Sequence, residues 1–459
     1  MNELLIERDI SHRLDMRDEL TFTVDPEDAK DFDDALSFSV LGENRYRVGV
    51  HIADVSFFVK EGSKIDREAY EKATSVYLVD RVIPMLPNRL CNDLCSLMEG
   101  KDRLCLSVLF TINEEFKIIK TSVAQTVIRS DNRLTYEEAQ QIIDGSAIFS
   151  DKLTFAVHKL WEMADSFRQH RIVEGALMIE QEEVRFVLDK KKNPVRIFLK
   201  TPKEANYLIE EWMLMANRSI AYMMRSQPFI YRVHDVPEED KLRHLQDFTK
   251  FFSRANDSFH DKLVSLMTVR AMAKAVYSPK NIGHYGLAFK YYTHFTSPIR
   301  RYPDLMVHRM VRTRLIEHAV YNIDRVGLKN ICDHCSLREQ EAQIAERESI
   351  KEMQLHFLKK HRDDQFLGHI VSVMEYGFFV RLDSNLCEGL VHIRQLFDID
   401  RFIFLPEQYR LRGENSNIVF TLGDRVTVQI EKLNFEKNQV DFRLILPKKY
   451  CPYDRRTRK

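Results

Sequence analysis

Between residues 25 and 34 the sequence reads DPEDAKDFDD, which puts Asp25, Asp28, Asp31, Asp33 and Asp34 on ten residues with Glu27 among them. Carboxylates this close repel one another, so wherever the chain folds the stretch must be solvated or neutralised by cations. An exposed acidic loop is the plain reading of such a run. Here TFTV precedes it and ALSFSV follows it, both strand-like, so the loop is pinned between structured elements. A calcium-binding EF-hand is excluded by spacing, because the positions that need Gly and Glu, counted from Asp25, carry Lys30 and Leu36. Oxygen donors without thiols or imidazoles favour Mg²⁺ or Mn²⁺, and two such ions about 4 Å apart can activate water and stabilise the leaving oxygen in phosphodiester cleavage.

The acidic loop runs into a hairpin, since ALSFSV and YRVGVHIADVSFFV alternate with period two around LGEN. With the turn centred on Glu43 and Asn44 and no bulge, Asp54 faces Asp33 across the strands and points into the same acidic pocket. A single bulge would shift that register. Helical spacing marks 155–173 and 204–225, where Leu208, Trp212, Met215 and Ile220 form a core stripe. Further helices are expected from Pro303 to about His318 and over 336–360. Near residue 363 the helical period gives way to short alternating strands, which places a domain boundary at 362–366.

The length of 459 residues suits two to three domains. Lys+Arg and Asp+Glu both total 69, which excludes a protein that is basic overall but leaves room for a local basic channel. No apolar run is long enough for a membrane span, and the first residues are too charged for a secretory signal. Seven scattered cysteines fit free thiols in a reducing compartment. Cys91/Cys95 and Cys332/Cys335, the latter around His334, lack a complementary half-site for zinc. The closing PKKYCPYDRRTRK is basic and reads as a tail or a phosphate-binding segment.

A series of blocks carries a family resemblance. TVDPEDAKDFDDA, HIADVSFFV, TSVYLVDRVIPMLP, LCNDLCSLMEGKDRLCLSV, EEWMLMAN, GHYGLAFKYYTHFTSPIRRYPDLMVHR and AER at 345–347 resemble, in order, the blocks of the RNB catalytic domain of the ribonuclease II / ribonuclease R family of 3′→5′ exoribonucleases. The likeness spans about residues 13–360. GHIVSVMEYGFFVRL, EGLVHIRQL and LGDRVTVQI then resemble an S1-type OB fold. The implied architecture is α+β: a lead-in over 1–20, an RNB domain over 21–362 with a mixed sheet surrounded by helices, an all-β S1-like barrel over 366–446, and a basic tail over 447–459.

The resemblance implies a cytoplasmic, processive, hydrolytic exoribonuclease that degrades single-stranded RNA to nucleoside 5′-monophosphates with two Mg²⁺ ions, Mn²⁺ being able to substitute. Asp25, Asp31, Asp33 and Asp34 match the metal-binding acidic positions, and Asp33 is the one whose loss should cost most. Asp33, Asp34, Arg300, Glu346 and Tyr77 form the implied catalytic set. Tyr77 packs on the terminal nucleotide, Arg300 holds phosphate at the scissile end, and Glu346 lies beside the centre. Arg301, with His294, Tyr302 and His308, is placed along the same channel. Phe378, Phe379 and His392 are the candidates for RNA contact on the barrel, although alternation lets only one of the two phenylalanines point outward. No membrane and no nucleotide cofactor are expected, and an RNA-degradation partner protein is a candidate. Two departures stand out: the chain starts almost at the catalytic domain, without upstream cold-shock domains, and Ile179 occupies the place of an aromatic clamp. The alternatives are a catalytically weak RNA-binding adaptor, a subunit of a larger degradation complex, and a DNA-directed nuclease.

Overall fold

The alternating runs that begin near residue 13 pair into one seven-stranded mixed sheet, seen in a computed structural model that describes residues 9–42, 44–147, 149–178, 182–252 and 258–446. Its strands are β1 (Leu14–Asp15), β2 (Thr21–Asp25), β3 (Asp34–Gly42), β4 (Arg45–Ala53), β5 (Asp102–Ile112), β6 (Ile118–Arg129) and β7 (Asn132–Thr135), in the spatial order β1-β6-β5-β4-β3-β2-β7. The two outermost pairings are parallel and the inner ones antiparallel. The centre of the sheet is buried on both faces. Val48, Val50 and Ile52 alternate with His51, and all four are inaccessible. His51 is satisfied by Ser107 Oγ at 2.7 Å and Ser37 Oγ at 2.8 Å, as a buried polar side chain must be. Gly49 is required there, because a Cβ would lie 2.5 Å from both His51 Nε2 and Ser37 Oγ.

The β3–β4 hairpin corrects one expectation. The strands are in register from Asp34↔Ile52 to Val40↔Tyr46, and a bulge then intervenes before Gly42↔Arg45. Gly42 and Asn44 hold the turn with φ of 80° and 56°, a region that Gly and Asn enter most cheaply. The extra residue shifts the pairing by one, so Asp54 does not face Asp33. It instead caps the one-turn helix Val55–Phe58, accepting from the Phe57 N–H at 3.2 Å and from Ser56 Oγ at 2.6 Å, and it pairs with buried Arg13 at 2.7 Å.

Five helices position the rest: α1 (Tyr136–Ile143), α2 (Asp151–Val173), α3 (Glu204–Met223), α4 (Tyr302–Val311) and α5 (Arg325–Lys360). Trp212 of α3 is fully buried between Phe110 of β5 and Phe167 of α2, and its Nε1–H donates to Leu160 O at 3.1 Å. Pro303 sits in the first turn of α4 as expected, but the α-helix ends at Val311 and gives way to a π-type turn, Arg312–Ile316. α5 begins at 325, well before the expected 336. Asp324 caps it, and Leu328, Cys332 and Cys335 interrupt the charged texture because they face the core.

Beyond α5 the chain closes a five-stranded barrel, β8 (Gln365–Met374), β9 (Gly377–Leu382), β10 (Glu388–His392), β11 (Arg425–Asn434) and β12 (Gln439–Ile445), in the order β8-β9-β10-β12-β11 with β11 returning to β8. It has its own core around Phe378, Val380, Val391 and Phe442. Among the described residues no helix is long and apolar enough to cross a membrane. Ile179 and the segment 447–459 lie outside the described residues, so the expectations placed on them stand where the sequence left them.

Candidate active site

The acidic loop is held from several sides. Asp25 ends β2 and Asp34 opens β3, so the loop between them closes one end of the sheet. Its course is fixed by side chains outside the motif. Ser96 Oγ donates to Lys30 O at 2.8 Å and accepts from the Phe32 N–H at 3.1 Å. Arg133 of β7 donates to Pro26 O at 3.0 Å and Glu27 O at 2.7 Å while lying over the Phe32 ring. Neither residue is visible as a site residue in the sequence. Both come from segments far along the chain, and the only hint for Arg133 is its place in an alternating strand beside β2.

Asp33 is almost fully buried. Its Oδ1 accepts from the Ile299 N–H at 2.9 Å and its Oδ2 from Arg300 Nε at 3.2 Å. Arg300 also donates through Nη2 to Ser297 Oγ at 3.0 Å, which leaves Nη1 without a partner among the described residues. The segment 297–300 therefore delivers one cation directly to the acidic loop. Tyr77 lies on a short ribbon, Val76–Tyr77 paired with Val82–Ile83, and its hydroxyl donates to Asp31 Oδ2 at 3.4 Å. Glu346 reaches the same ribbon from α5 and accepts from the Tyr77 backbone N–H at 2.9 Å. One turn further on, Ser349 Oγ accepts from the Val79 N–H at 3.1 Å.

The electrostatics follow from burial. Asp25 is pushed up to about 7, by burial first and then by repulsion from Asp33 and Asp31. Burial pushes Asp33 up to about 8 against the pull of Arg300 and the Ile299 N–H. Asp34 is raised to about 7 by burial and by Asp25. Burial of this kind favours the neutral carboxyl, and positive charge nearby favours the ionised one. Asp25 Oδ2 is buried with no hydrogen-bond partner among the described residues. Among those residues no three His, Cys, Asp or Glu side chains are already drawn together as a metal cage, and Asp33 is engaged by Arg300. The all-oxygen donor set and the orphaned Asp25 oxygen nevertheless fit a hard divalent cation.

The structure thus brings Asp25, Asp31, Asp33, Asp34, Tyr77, Arg300 and Glu346 to one place. Arg301 is not delivered to the carboxylates in the same way. Its guanidinium is committed to Asp304 at 2.7 Å, where α4 starts. His294 and His308 are likewise internal, the first bonded to the Tyr277 hydroxyl and the second to Phe295 O, both at 2.8 Å, and burial lowers the pKa of both. On the barrel the expectation for Phe378 is corrected. It is fully buried and packs on Phe420, because alternation along β9 turns it inward and its neighbour Phe379 outward. Phe379 and the exposed Tyr376, which the sequence reading missed, line a cleft of about 610 Å³ between barrel and α5, together with Arg347 and Lys351. His392 ends β10 half-buried, its Nδ1 accepting from the Arg394 N–H at 3.1 Å.

Comparison with known proteins places this arrangement. Residues 13–317 match the RNB domain and residues 359–444 the S1 RNA binding domain. The chain is 37% identical to Ribonuclease R of Aquifex aeolicus over 468 residues and 36% identical to Ribonuclease R of Thermotoga maritima over 467. These alignments cover 96% and 95% of the chain, which spans 66% of the length of each relative. Among solved structures, Mycoplasma genitalium RNase R in complex with ribose methylated single-stranded RNA superposes with a TM-score of 0.88 at 26% identity, covering 96% of this chain and 73% of that one. Matched in both sequence and structure along nearly its whole length, the chain belongs to the RNB family and carries an S1 domain behind its RNB domain.

Proposed function

We propose that the protein is a hydrolytic 3′→5′ exoribonuclease that degrades single-stranded RNA, processively and in the cytoplasm, to nucleoside 5′-monophosphates. The observation that carries this reading is the set of buried carboxyls of Asp25, Asp33 and Asp34 facing the Arg300 guanidinium, with an unpaired Asp25 oxygen among them. Ionised carboxylates packed this way have no stabilising purpose of their own, since burying like charges is costly. Asp25, Asp31 and Asp34 would hold Mg²⁺, as two ions with Mn²⁺ able to replace it, and when bound the ions would supply Lewis acidity towards the phosphoryl oxygens and lower the pKa of water.

The chain's own groups do the rest. Asp25, Asp31 and Asp34 offer oxygen donors, and Asp33 is kept in one orientation by the Ile299 N–H and Arg300. Arg300 Nη1 is left to meet a phosphate oxygen as negative charge builds there. Tyr77, whose ring is partly exposed, offers a π-face to the terminal base, which grips every base alike. Glu346 acts one step back by holding the Tyr77 backbone. Tyr376, Phe379, Arg347 and Lys351 give the RNA a stacking and phosphate-binding surface on its way in. The described cysteines are unpaired, as in a reducing compartment.

The test uses a 5′-labelled oligoribonucleotide with the parent protein and Asp33→Asn. The parent shortens the label stepwise to a small limit product. The amide keeps the shape of Asp33 and loses its charge, so the variant binds RNA with similar affinity and cleaves at least about 10²-fold more slowly. Undiminished cleavage by the variant, or internal cuts by the parent, would defeat the proposal.

A further inference from the structure

At the opposite end of the main sheet from the aspartates lies a cavity of about 740 Å³, floored by Ile118 and Met215. Ile118 pairs with Ile112, which pairs with Tyr46 at the turn end of β4, whereas Asp34 pairs with Ile52 at the other end. Six residues of strand separate these levels, about 20 Å. We propose that this cavity binds a stretch of single-stranded RNA, as an anchor for substrate outside the catalytic channel.

Its rim alternates cations and rings. Arg225 lies 3.8 Å from the centroid of the Tyr222 ring, Tyr222 meets Tyr291 edge-on at 5.9 Å, and Lys290 lies 5.9 Å from Tyr291. Arg218 completes the rim and rests on Phe289 at 5.1 Å. No acidic residue lines the cavity, and Arg218, Arg225 and Lys290 form no ion pair among the described residues. Three cations gathered on one rim repel each other and attract an anion. Tyr222 is 52% exposed, so its ring is open to solvent beside Arg225. Phosphates beside cations and bases beside tyrosines are what a single strand of nucleic acid requires. The choice of RNA rests on the exoribonuclease reading. An acidic peptide would satisfy the charges but make no use of the rings.

The test compares RNA lengths in the cleavage-blocked Asp33→Asn protein, using single strands of about 8 and about 30 nucleotides, the shorter within the range of one small binding site. Arg218→Glu combined with Arg225→Glu should weaken binding of the long strand at least about 5-fold, lower its salt slope by about 1.4, and leave the short strand unaffected. Tyr222→Ala, which removes no charge, should weaken the long strand alone. A photoreactive uridine near the 5′ end of the long strand should crosslink within residues 215–225. Equal losses on both lengths, no loss on the long strand, a crosslink elsewhere, or competition by polyglutamate as effective as by RNA would each overturn the anchor. If the cleavage-blocked protein binds neither length, the exoribonuclease reading falls with it. If it binds the short strand and gains nothing from the longer one, only the anchor falls.

Discussion

Arg300 does two structural jobs besides the proposed contact with phosphate. Its side chain fixes Asp33 and Ser297, and its carbonyl accepts from the Ser75 N–H at 3.0 Å and Thr74 Oγ1 at 3.2 Å, just before Tyr77. The backbone part survives any substitution, so Arg300→Lys isolates the planar fork. We expect kcat to fall roughly 10- to 100-fold with a smaller change in KM, because an ammonium lacks the rigid planar fork that holds Asp33, Ser297 and a phosphate oxygen in fixed directions. Single-turnover rates at saturating RNA would show it, and an unchanged rate would contradict the assignment. Asp54 gives a contrasting prediction. Removing it as Asp54→Ala takes from buried Arg13 one of its two carboxylate partners, Asp9 remaining, which should cost about 1.5–3 kcal/mol in denaturant unfolding. Its carboxyl is held below the usual range, by Arg13 and Ser56 working against burial. The stability it contributes is complete above the ordinary carboxylate pKa and is lost as the pH falls through its own lower value. The aspartates, Tyr77 and Arg300 were legible because each sits in a contiguous block. Asp54 was misplaced because register is decided by a single bulged residue, and Phe378 because neighbouring phenylalanines in a strand look alike until the barrel closes.

Two elements carry consequences that no single residue shows. The Tyr77 ribbon has only two strands of two residues and is held by Glu346 and Ser349 of α5. A ribbon that short has little stability of its own. Ser349→Ala frees the Val79 N–H, a loss on the order of 1 kcal/mol, and should broaden the distribution of limit products without altering the fold. Product sizing on a sequencing gel reads this directly, and an unchanged limit product would show the ribbon to be held by other means. The second element is the polar line through the main sheet, where burial pushes His51 down to about 3. In the unfolded chain the same imidazole takes up a proton below about pH 6.5, so stability is full above that value and declines as the pH falls towards 3. The decline should approach on the order of 1 kcal/mol per pH unit, and His51→Gln should flatten it. An acid limb with the same slope in the variant would assign the effect to other groups. The β3–β4 hairpin, α2, α3 and the barrel strands were read from periodicity, whereas β5, β6 and α1 were not. The start of α5 was missed because its first turns mix polar and apolar residues while its later ones are mostly charged, and a texture change inside one helix imitates a boundary. The remote cavity had no sequence signal at all, since it is assembled from β6, the end of α3 and residues 290–291.

At the scale of the molecule, α5 decides how the domains are related. Its 36 residues extend about 54 Å. Leu328, Cys332 and Cys335 at one end belong to the core of the main sheet, while Leu355 and Leu358 at the other belong to the core of the barrel. Between these ends lie Glu346 and Ser349. Leu358→Ala should therefore cost about 2–5 kcal/mol and be felt chiefly by the barrel, seen as loss of protection of its amides in hydrogen exchange before those of the main sheet. Simultaneous loss in both would mean that the two cores melt as one. A helix owned by two cores has no neutral place to be cut. A barrel borrowed from a relative would have to arrive with its own copy of this rod and of the pegs midway along it, so these two modules should be inherited as a pair even where other domains of such proteins are shuffled.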